Sequence, residues 1–221
     1  MTAVPALSDA PAIRLIRPTT ALIPAYLDIL AEMHGGPLDG SGIHGEATAP
    51  RTEEEACALI AEQRAAEEPG TVLPEGLVPC SFRWIVPAGT GPEDDQVTEG
   101  RHADPAADEP GATVTAPPNS PVLGFLAIRH VLNRYLFDLG GHIGYSVRPS
   151  QRRRGVARAA LLQGLAESAA LGIDPVLVTC AEDNVGSRGV LESAGGAYEE
   201  ARGGVRRYWF GAGPRPTGPT A

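Results

Sequence analysis

The chain has 221 residues and a formal net charge of −9, with 43% hydrophobic and 20% charged residues. That length allows one domain of ordinary size or two small ones, and the negative charge argues against general binding to nucleic-acid phosphates. All 18 basic residues are arginines, which excludes a Schiff-base lysine, a pyridoxal-phosphate enzyme and a P-loop nucleotidase, since each needs a lysine ammonium group.

The cysteines and histidines do not have the spacing of a metal site. Three cysteines are far apart without a C-x-x-C pair, and the five histidines include no H-E-x-x-H motif. We therefore expect no disulfide framework and no metal. The first residues lack the pattern of a signal peptide, and no stretch reaches 18 uninterrupted apolar residues. We expect a cytoplasmic protein with no membrane partner.

In chain order, the first half of the sequence predicts two helices and two strands. The predicted segments are a flexible tail over 1–11, a strand over 13–17, a helix over 20–33, a loop over 35–51, a helix over 52–68 and a strand over 81–87. Thr52 begins a capping-box pattern at the second helix. Residues 87–120 hold seven acids against one arginine, with six prolines, so they predict a disordered insert.

The second half of the sequence predicts more closely spaced elements. They are a strand over 122–131, a turn over 133–141, a strand over 142–147, a helix over 156–171, a strand over 175–180, a helix over 184–194, a hairpin of 197–201 with 206–210, and a flexible tail over 211–221. We expect a single domain over 12–210, interrupted by the insert at 87–120.

An arginine-rich segment between a strand and a helix carries the densest chemical signal. Five arginines and no acid fall in residues 148–158, and Gly155 lets the backbone approach a ligand closely. The start of the following helix exposes unpaired N–H groups and the positive end of the helix dipole, which favour a pyrophosphate. A solvated basic face and a nucleic-acid patch are the alternatives. The helix dipole and the acidic chain argue against them.

Residues 152–157, Arg-Arg-Arg-Gly-Val-Ala, resemble the R/Q-x-x-G-x-G/A acyl-CoA loop of the GNAT family of N-acetyltransferases. The order of strand, loop, helix, buried strand, Asn-x-x-Ser helix and terminal strands is also similar to that fold. Segments 141–150 and 206–210 resemble one bacterial branch of predicted acetyltransferases. The resemblance implies an α/β (α+β) fold whose mixed, mostly antiparallel central sheet is flanked by helices and splayed at the acyl-CoA site.

The resemblance also implies acetyl-CoA as co-substrate and assigns its contacts. Backbone amides of 153–157 would hold the pyrophosphate, and the Val147 N–H would polarise the thioester carbonyl as an oxyanion donor. Asn184 would contact the pantetheine arm, and a plain helix N-cap is the alternative for it. The expected acyl-CoA-binding residues are Tyr145, Ser146, Val147, Arg152, Arg153, Arg154, Gly155, Val156, Ala157, Arg158, Asn184 and Ser187.

The sequence does not identify the general acid, because it departs from the family pattern at one position. The family often carries a tyrosine seven residues after this asparagine, where it protonates the leaving thiolate, and this chain has Leu191 there. Tyr208 and Tyr145 are the candidates to replace it. The alternative for each is an aromatic residue of the core.

The general base is open as well. His142 begins a strand where relatives often place glutamate, and an imidazole has a suitable pKa near neutrality. A hydrogen-bonded structural histidine is the alternative. Glu182 and Asp183 are rival candidates for the general base or for binding the substrate ammonium group. The alternative for both is a solvated loop. We expect Cys180 to be a buried core thiol rather than an acyl-carrying nucleophile.

These observations predict an acyl-CoA-dependent N-acetyltransferase that moves an acetyl group to a primary amine by direct attack in a ternary complex. The acceptor would be a small-molecule or peptide amine, and acids such as Asp39 and Glu46 favour a cationic one. A non-catalytic acyl-CoA-binding or regulatory module is the alternative, motivated by Leu191. A third hypothesis is an acidic adaptor acting through 87–120. Homodimer formation is left open.

Overall fold

The computed structural model describes residues 11–43, 48–90 and 121–221. The predicted flexible tail over 1–11 lies outside the described residues except for Pro11. The predicted insert over 87–120 lies outside them except for residues 87–90, of which Pro87 ends a strand. The expected domain boundaries therefore stay predictions.

In the described part of the chain, seven strands build one sheet. They are β1 (Ile13–Ile16), β2 (Cys80–Pro87), β3 (Gly124–Arg129), β4 (Ile143–Val147), β5 (Val176–Ala181), β6 (Ala197–Arg202) and β7 (Val205–Phe210). Their order across the sheet is β1-β2-β3-β4-β5-β7-β6. Each neighbouring pair is antiparallel except β4 and β5, which run parallel. The predicted mixed, mostly antiparallel sheet is thus confirmed.

Among the described residues, four α-helices flank this sheet. They are α1 (Ile23–Glu32), α2 (Glu53–Ala65), α3 (Val156–Ala170) and α4 (Val185–Ser193). The predicted capping box begins α2: Thr52 accepts from the Glu55 amide, and the Glu55 carboxylate accepts from the Thr52 amide. Over the described ranges, no helix is long and apolar enough to cross a membrane.

The sheet separates two apolar clusters. On one face, α1 and α2 pack with the sheet, and Tyr26 stacks on Trp84 with ring centroids 4.6 Å apart. On the other face, α3 packs on β3 and β4 through residues such as Leu161 and Ile143. Because successive side chains of a strand point to opposite faces, β3 contributes to both clusters, with Phe125 on the first face and Leu126 on the second.

The turn predicted over 133–141 is wrong for most of its length. Leu136–Gly140 forms a π-helical turn, in which Leu136 and Phe137 are buried against Trp209. The buried Arg207 guanidinium donates to the carbonyl oxygens of Phe137 and Asp138. These long-range contacts stabilise a helical turn where the local sequence, with its Gly140-Gly141 pair, indicates only a chain reversal.

Candidate functional site

A gap opens between β4 and β5. Along these two described strands, the register pairs one residue of each, Ile143 with Val178. The Arg148 amide donates to the Leu123 oxygen at 2.9 Å, towards β3. Since N–H groups along a strand point alternately to its two sides, the preceding amide, that of Val147, points towards β5 and into the gap.

The segment between β4 and α3 is shaped to present backbone donors. Arg153 has φ +62° and Gly155 has φ +79°, so both lie in the left-handed region. Gly155 is the N-cap of α3, and in the described structure no side chain caps this helix. The first amides of α3, from Val156 to Arg158, therefore keep the unpaired donors and the positive dipole end that attract an anion.

The gap and the helix start belong to one cleft of about 750 Å³. Its described lining is Pro37, Asp39, Tyr145, Ser146, Val147, Gln151, Arg152, Arg153, Gly155, Val156, Ala157, Arg158, Asn184, Val185, Gly186, Ser187, Gly189, Val190 and Ser193. The cleft thus brings together every expected acyl-CoA-binding residue except Arg154. The structure places Arg154 on the exposed surface, outside this lining.

The arginines of the segment serve different partners. Arg148 is nearly buried and donates to Glu32 at 2.6 Å and to Asp28 at 2.8 Å, so it fixes the segment to α1. Arg152 donates to the Val147 oxygen at 2.9 Å. Arg158 donates to the Ser193 oxygen at 3.3 Å, which joins α3 to α4. Arg152 and Arg153 have exposed side chains at the rim of the cleft.

Asn184 caps α4 with the oxygen of its side-chain amide. Its Oδ1 accepts from the Ser187 amide at 2.9 Å, which is the N-cap geometry. The Nδ2 amino group can only donate, and the residue lines the cleft. Asn184 can therefore cap the helix and offer a donor to a ligand at the same time.

Tyr145 lines this cleft and carries a buried hydroxyl. The hydroxyl oxygen has no hydrogen-bond partner among the described residues, although the Ser187 side chain lies close to it. Burial raises the pKa of Tyr145 to about 12. The group is therefore protonated at neutral pH and can donate a hydrogen bond or a proton.

Tyr208 and Leu191 lie in the core and not in the lining of the cleft. Tyr208 is fully buried, and its hydroxyl donates to Glu192 at 3.0 Å and accepts from Arg206 at 3.0 Å. Leu191 is fully buried in the same cluster. At the position where the resemblance implies a proton-donating tyrosine, the structure thus has an apolar core side chain.

His142 bridges β4 and β5 away from the cleft. Its Nδ1 accepts from the Leu177 amide at 2.9 Å, and its own amide donates to the Leu177 oxygen at 2.7 Å. Burial, aided by the Arg129 guanidinium, lowers the pKa of His142 to about 4. Its ring is therefore neutral at pH 7. It links β4 to β5 next to the pair of Ile143 and Val178.

The other predicted acid–base groups are also outside the cleft lining. Glu182 and Asp183 are exposed in the loop after β5. Cys180 is buried, and burial raises the pKa of its thiol. In the part of the chain that the structure describes, no group of three or more His, Cys, Asp or Glu side chains could hold a metal ion.

Two lining residues, Pro37 and Asp39, come from the loop after α1, where no motif marks the sequence. Asp39 could be noted from the sequence only as one of several acids. Its place in the cleft depends on a contact with Ser146, 107 positions away along the chain.

Comparison with known families and structures agrees with this geometry. The family described as "Acetyltransferase (GNAT) domain" matches residues 81–197, more than half of the chain. No curated protein matches the chain.

Three solved structures are similar over nearly the whole chain. Mycobacterium smegmatis RimJ in complex with CoA-disulfide is 18% identical with a TM-score of 0.56, covering 91% of this chain and 83% of that one. The microcin C7 self-immunity acetyltransferase MccE, in complex with acetyl-CoA and AMP, is 11% identical with a TM-score of 0.54, covering 94% and 100%. A Salmonella typhimurium acetyltransferase that modifies the N-terminal serine of ribosomal protein L7/L12 is 13% identical with a TM-score of 0.52, covering 91% and 96%. At these identities the likeness concerns the fold.

Proposed function

Because the chain belongs to the GNAT acetyltransferase family, we propose that it transfers the acetyl group of acetyl-CoA to a primary amine by direct attack in a ternary complex. The observation that carries this proposal is a single cleft that joins the donor-rich start of α3 to the open edge of β4. One end suits a diphosphate and the other suits an extended amide chain.

In this proposal, the amides from 153 to 157 bind the pyrophosphate and Arg152, Arg153 and Arg158 add positive charge at the rim. The pantetheine arm pairs with the free edge of β4, and the Asn184 amino group donates to it. The thioester carbonyl then lies at the Val147 N–H. An oxyanion donor of this kind contributes about 3–4 kcal/mol to transition-state stabilisation.

The chemical step needs a neutral amine and a protonated leaving group. The amine nitrogen attacks the carbonyl carbon and the new C–N bond forms. The C–S bond breaks with its electron pair going to sulfur, and the nitrogen loses one proton to water as the amide forms. Tyr145 is the proposed donor of the proton that the thiolate takes up, because the residue lines the cleft and its hydroxyl is protonated. Tyr208 fits this role less well because its hydroxyl is engaged by two side chains.

The nature of the acceptor is also part of the proposal. One structural relative acts on the N-terminal serine of a ribosomal protein, which favours a peptide or protein amine, and small-molecule amines fit the same chemistry. A cytoplasmic location is consistent with three unpaired cysteines, Cys57, Cys80 and Cys180.

A non-catalytic acyl-CoA-binding module is the second candidate function. The buried Leu191 favours it, because the usual tyrosine is absent from α4. Release of free thiol from acetyl-CoA with a broad panel of amines separates the two functions. Turnover by the wild type supports the enzyme, and tight binding without turnover supports the module.

The binding half of the proposal is tested by titration calorimetry with acetyl-CoA, using two glycines that flank α3. Gly155 has φ +79° at the start of the helix and Gly172 has φ +76° after its end. Gly155→Ala strains the donor-rich turn, so we expect at least tenfold weaker binding. Gly172→Ala introduces similar strain, about 1–2 kcal/mol, away from the cleft, and should bind as the wild type does. Equal affinities of both variants would contradict the proposed pyrophosphate site.

A further inference from the structure

The loop after α1 is held against β4 at the open end of the cleft. Ser146 donates from its hydroxyl to the Asp39 carbonyl oxygen at 2.7 Å. Gly40, with φ +80°, packs so closely that a Cβ there would lie 2.5 Å from the Gly144 oxygen. The Ser41 amide closes the turn by donating to the Leu38 oxygen at 3.0 Å. Asp39 is therefore fixed in position relative to β4.

Asp39 reaches the gap from the face opposite α3. Tyr145 and Val147 pack with the cluster beneath α3, so the intervening Ser146 side chain points to the face of α1 and α2. The loop bound to Ser146 lies on that second face, and Asp39 lines the cleft beside Tyr145 and Val147. Its carboxylate is close enough to affect the Tyr145 hydroxyl electrostatically.

The charges along the cleft are separated. Among the described residues that line it, Asp39 is the one acid, and the three bases Arg152, Arg153 and Arg158 stand at the pyrophosphate end. A carboxylate in a cleft for a polyanion is unfavourable unless it also meets a cation. The acceptor amine arrives as an ammonium ion, which supplies that cation.

We infer that Asp39 binds the ammonium group of the acceptor at the acyl end of the cleft, and that the acceptor is a cationic primary amine rather than an alcohol. This inference rests on the proposed function. The carboxylate accepts hydrogen bonds from the ammonium group and holds it at the acyl end. The nitrogen loses a proton to water, and the neutral amine then faces the carbonyl carbon at the Val147 N–H.

Other described features fit this role less well. Glu182 and Asp183 lie outside the cleft lining. A second cavity, of about 820 Å³ beside α1, shares the loop through Leu38, but its described lining includes Arg51 and no acid. It can accommodate part of an acceptor without binding its ammonium group.

The test measures amine binding to the protein saturated with coenzyme A, which prevents turnover. The probes for titration calorimetry are phenethylamine, spermidine and a serine-terminated peptide amide, with phenethyl alcohol as the uncharged counterpart of the first. We expect at least one amine to bind the wild type, and Asp39→Asn to weaken it by about tenfold or more. Asp39→Glu should recover part of the affinity, and phenethyl alcohol should not distinguish the wild type from Asp39→Asn.

The matched control is Glu62→Gln, which removes one exposed negative charge on α2 and should leave amine affinity unchanged. Amine affinity within twofold of wild type in Asp39→Asn, or no binding of any amine to the wild-type complex, would overturn the inference. Titration of coenzyme A alone distinguishes a failure of the proposed function from a failure of the inference about Asp39. If coenzyme A does not bind, the proposed function fails. If it binds to all variants alike, only the role of Asp39 is in question.

Discussion

Tyr145 combines a buried position with a hydroxyl that no described residue uses. Replacing it with phenylalanine removes the proposed proton donor and little else. We expect Tyr145→Phe to lower kcat by about 100-fold with a small change in the KM for acetyl-CoA, measured by thiol release. Tyr135→Phe, at an exposed tyrosine outside the cleft, is the control and should match the wild type.

The hypothesis that Tyr145 is the general acid also predicts how kcat changes with pH. A general acid must be protonated, and the pKa of Tyr145 is raised by burial to about 12. The donor form is therefore present at every pH below that value, and kcat should not fall on the alkaline side up to about pH 10. A kcat of Tyr145→Phe within twofold of wild type would show that the proton comes from water or another group.

Individual residues differed in how far the sequence alone could place them. Gly155 and Asn184 could be placed because both sit at helix starts, where local spacing dictates backbone conformation. Arg148 belongs to the same arginine-rich segment, yet its partners Asp28 and Glu32 lie more than 110 positions away. The position of Asp39 likewise depends on a distant strand, so the sequence could not assign it to the cleft.

The loop after α1 can be tested as an element through Gly40. Gly40→Ala adds a Cβ 2.5 Å from the Gly144 oxygen at φ +80°, so the loop must move off β4. We expect it to lower the free energy of unfolding by about 1–3 kcal/mol more than Gly76→Ala does. Gly76 has φ +84° with no atom within 4 Å of a Cβ, so that variant measures backbone strain alone. Urea unfolding of both variants gives the comparison, and equal losses would mean that the loop is not packed on β4.

Elements that are rich in apolar residues and bounded by Gly or Pro were predicted well. The buried strand β5 and the helix α3 follow from their apolar patterns, with ends within one residue of those expected. The π-helical turn at Leu136–Gly140 was not predictable, because Arg207 and Trp209 stabilise it from the far end of the chain. Local spacing carries no signal for such a contact.

At the scale of the molecule, residues 91–120 interrupt a simple strand pair. β2 and β3 are antiparallel neighbours, and the Leu123 amide donates to the Ile85 oxygen at 2.7 Å. Replacing 91–120 with about eight Gly and Ser residues should therefore leave unfolding free energy and acetyl-CoA affinity nearly unchanged. The replaced segment holds seven acids and one arginine, so the net charge changes from −9 to −3. Loss of acetyl-CoA binding would show that this segment takes part in the site, and would favour a role beyond a dispensable insert.

The single backbone pairing between β4 and β5 has a consequence for the molecule as a whole. The described sheet consists of two blocks, β1 to β4 and β5 to β7. Ile143, Val178 and the His142 ring join these blocks at one end. A pantetheine arm bound along β4 would fill the gap between the two blocks and link them. Resistance to unfolding would then depend on how much coenzyme the cell supplies.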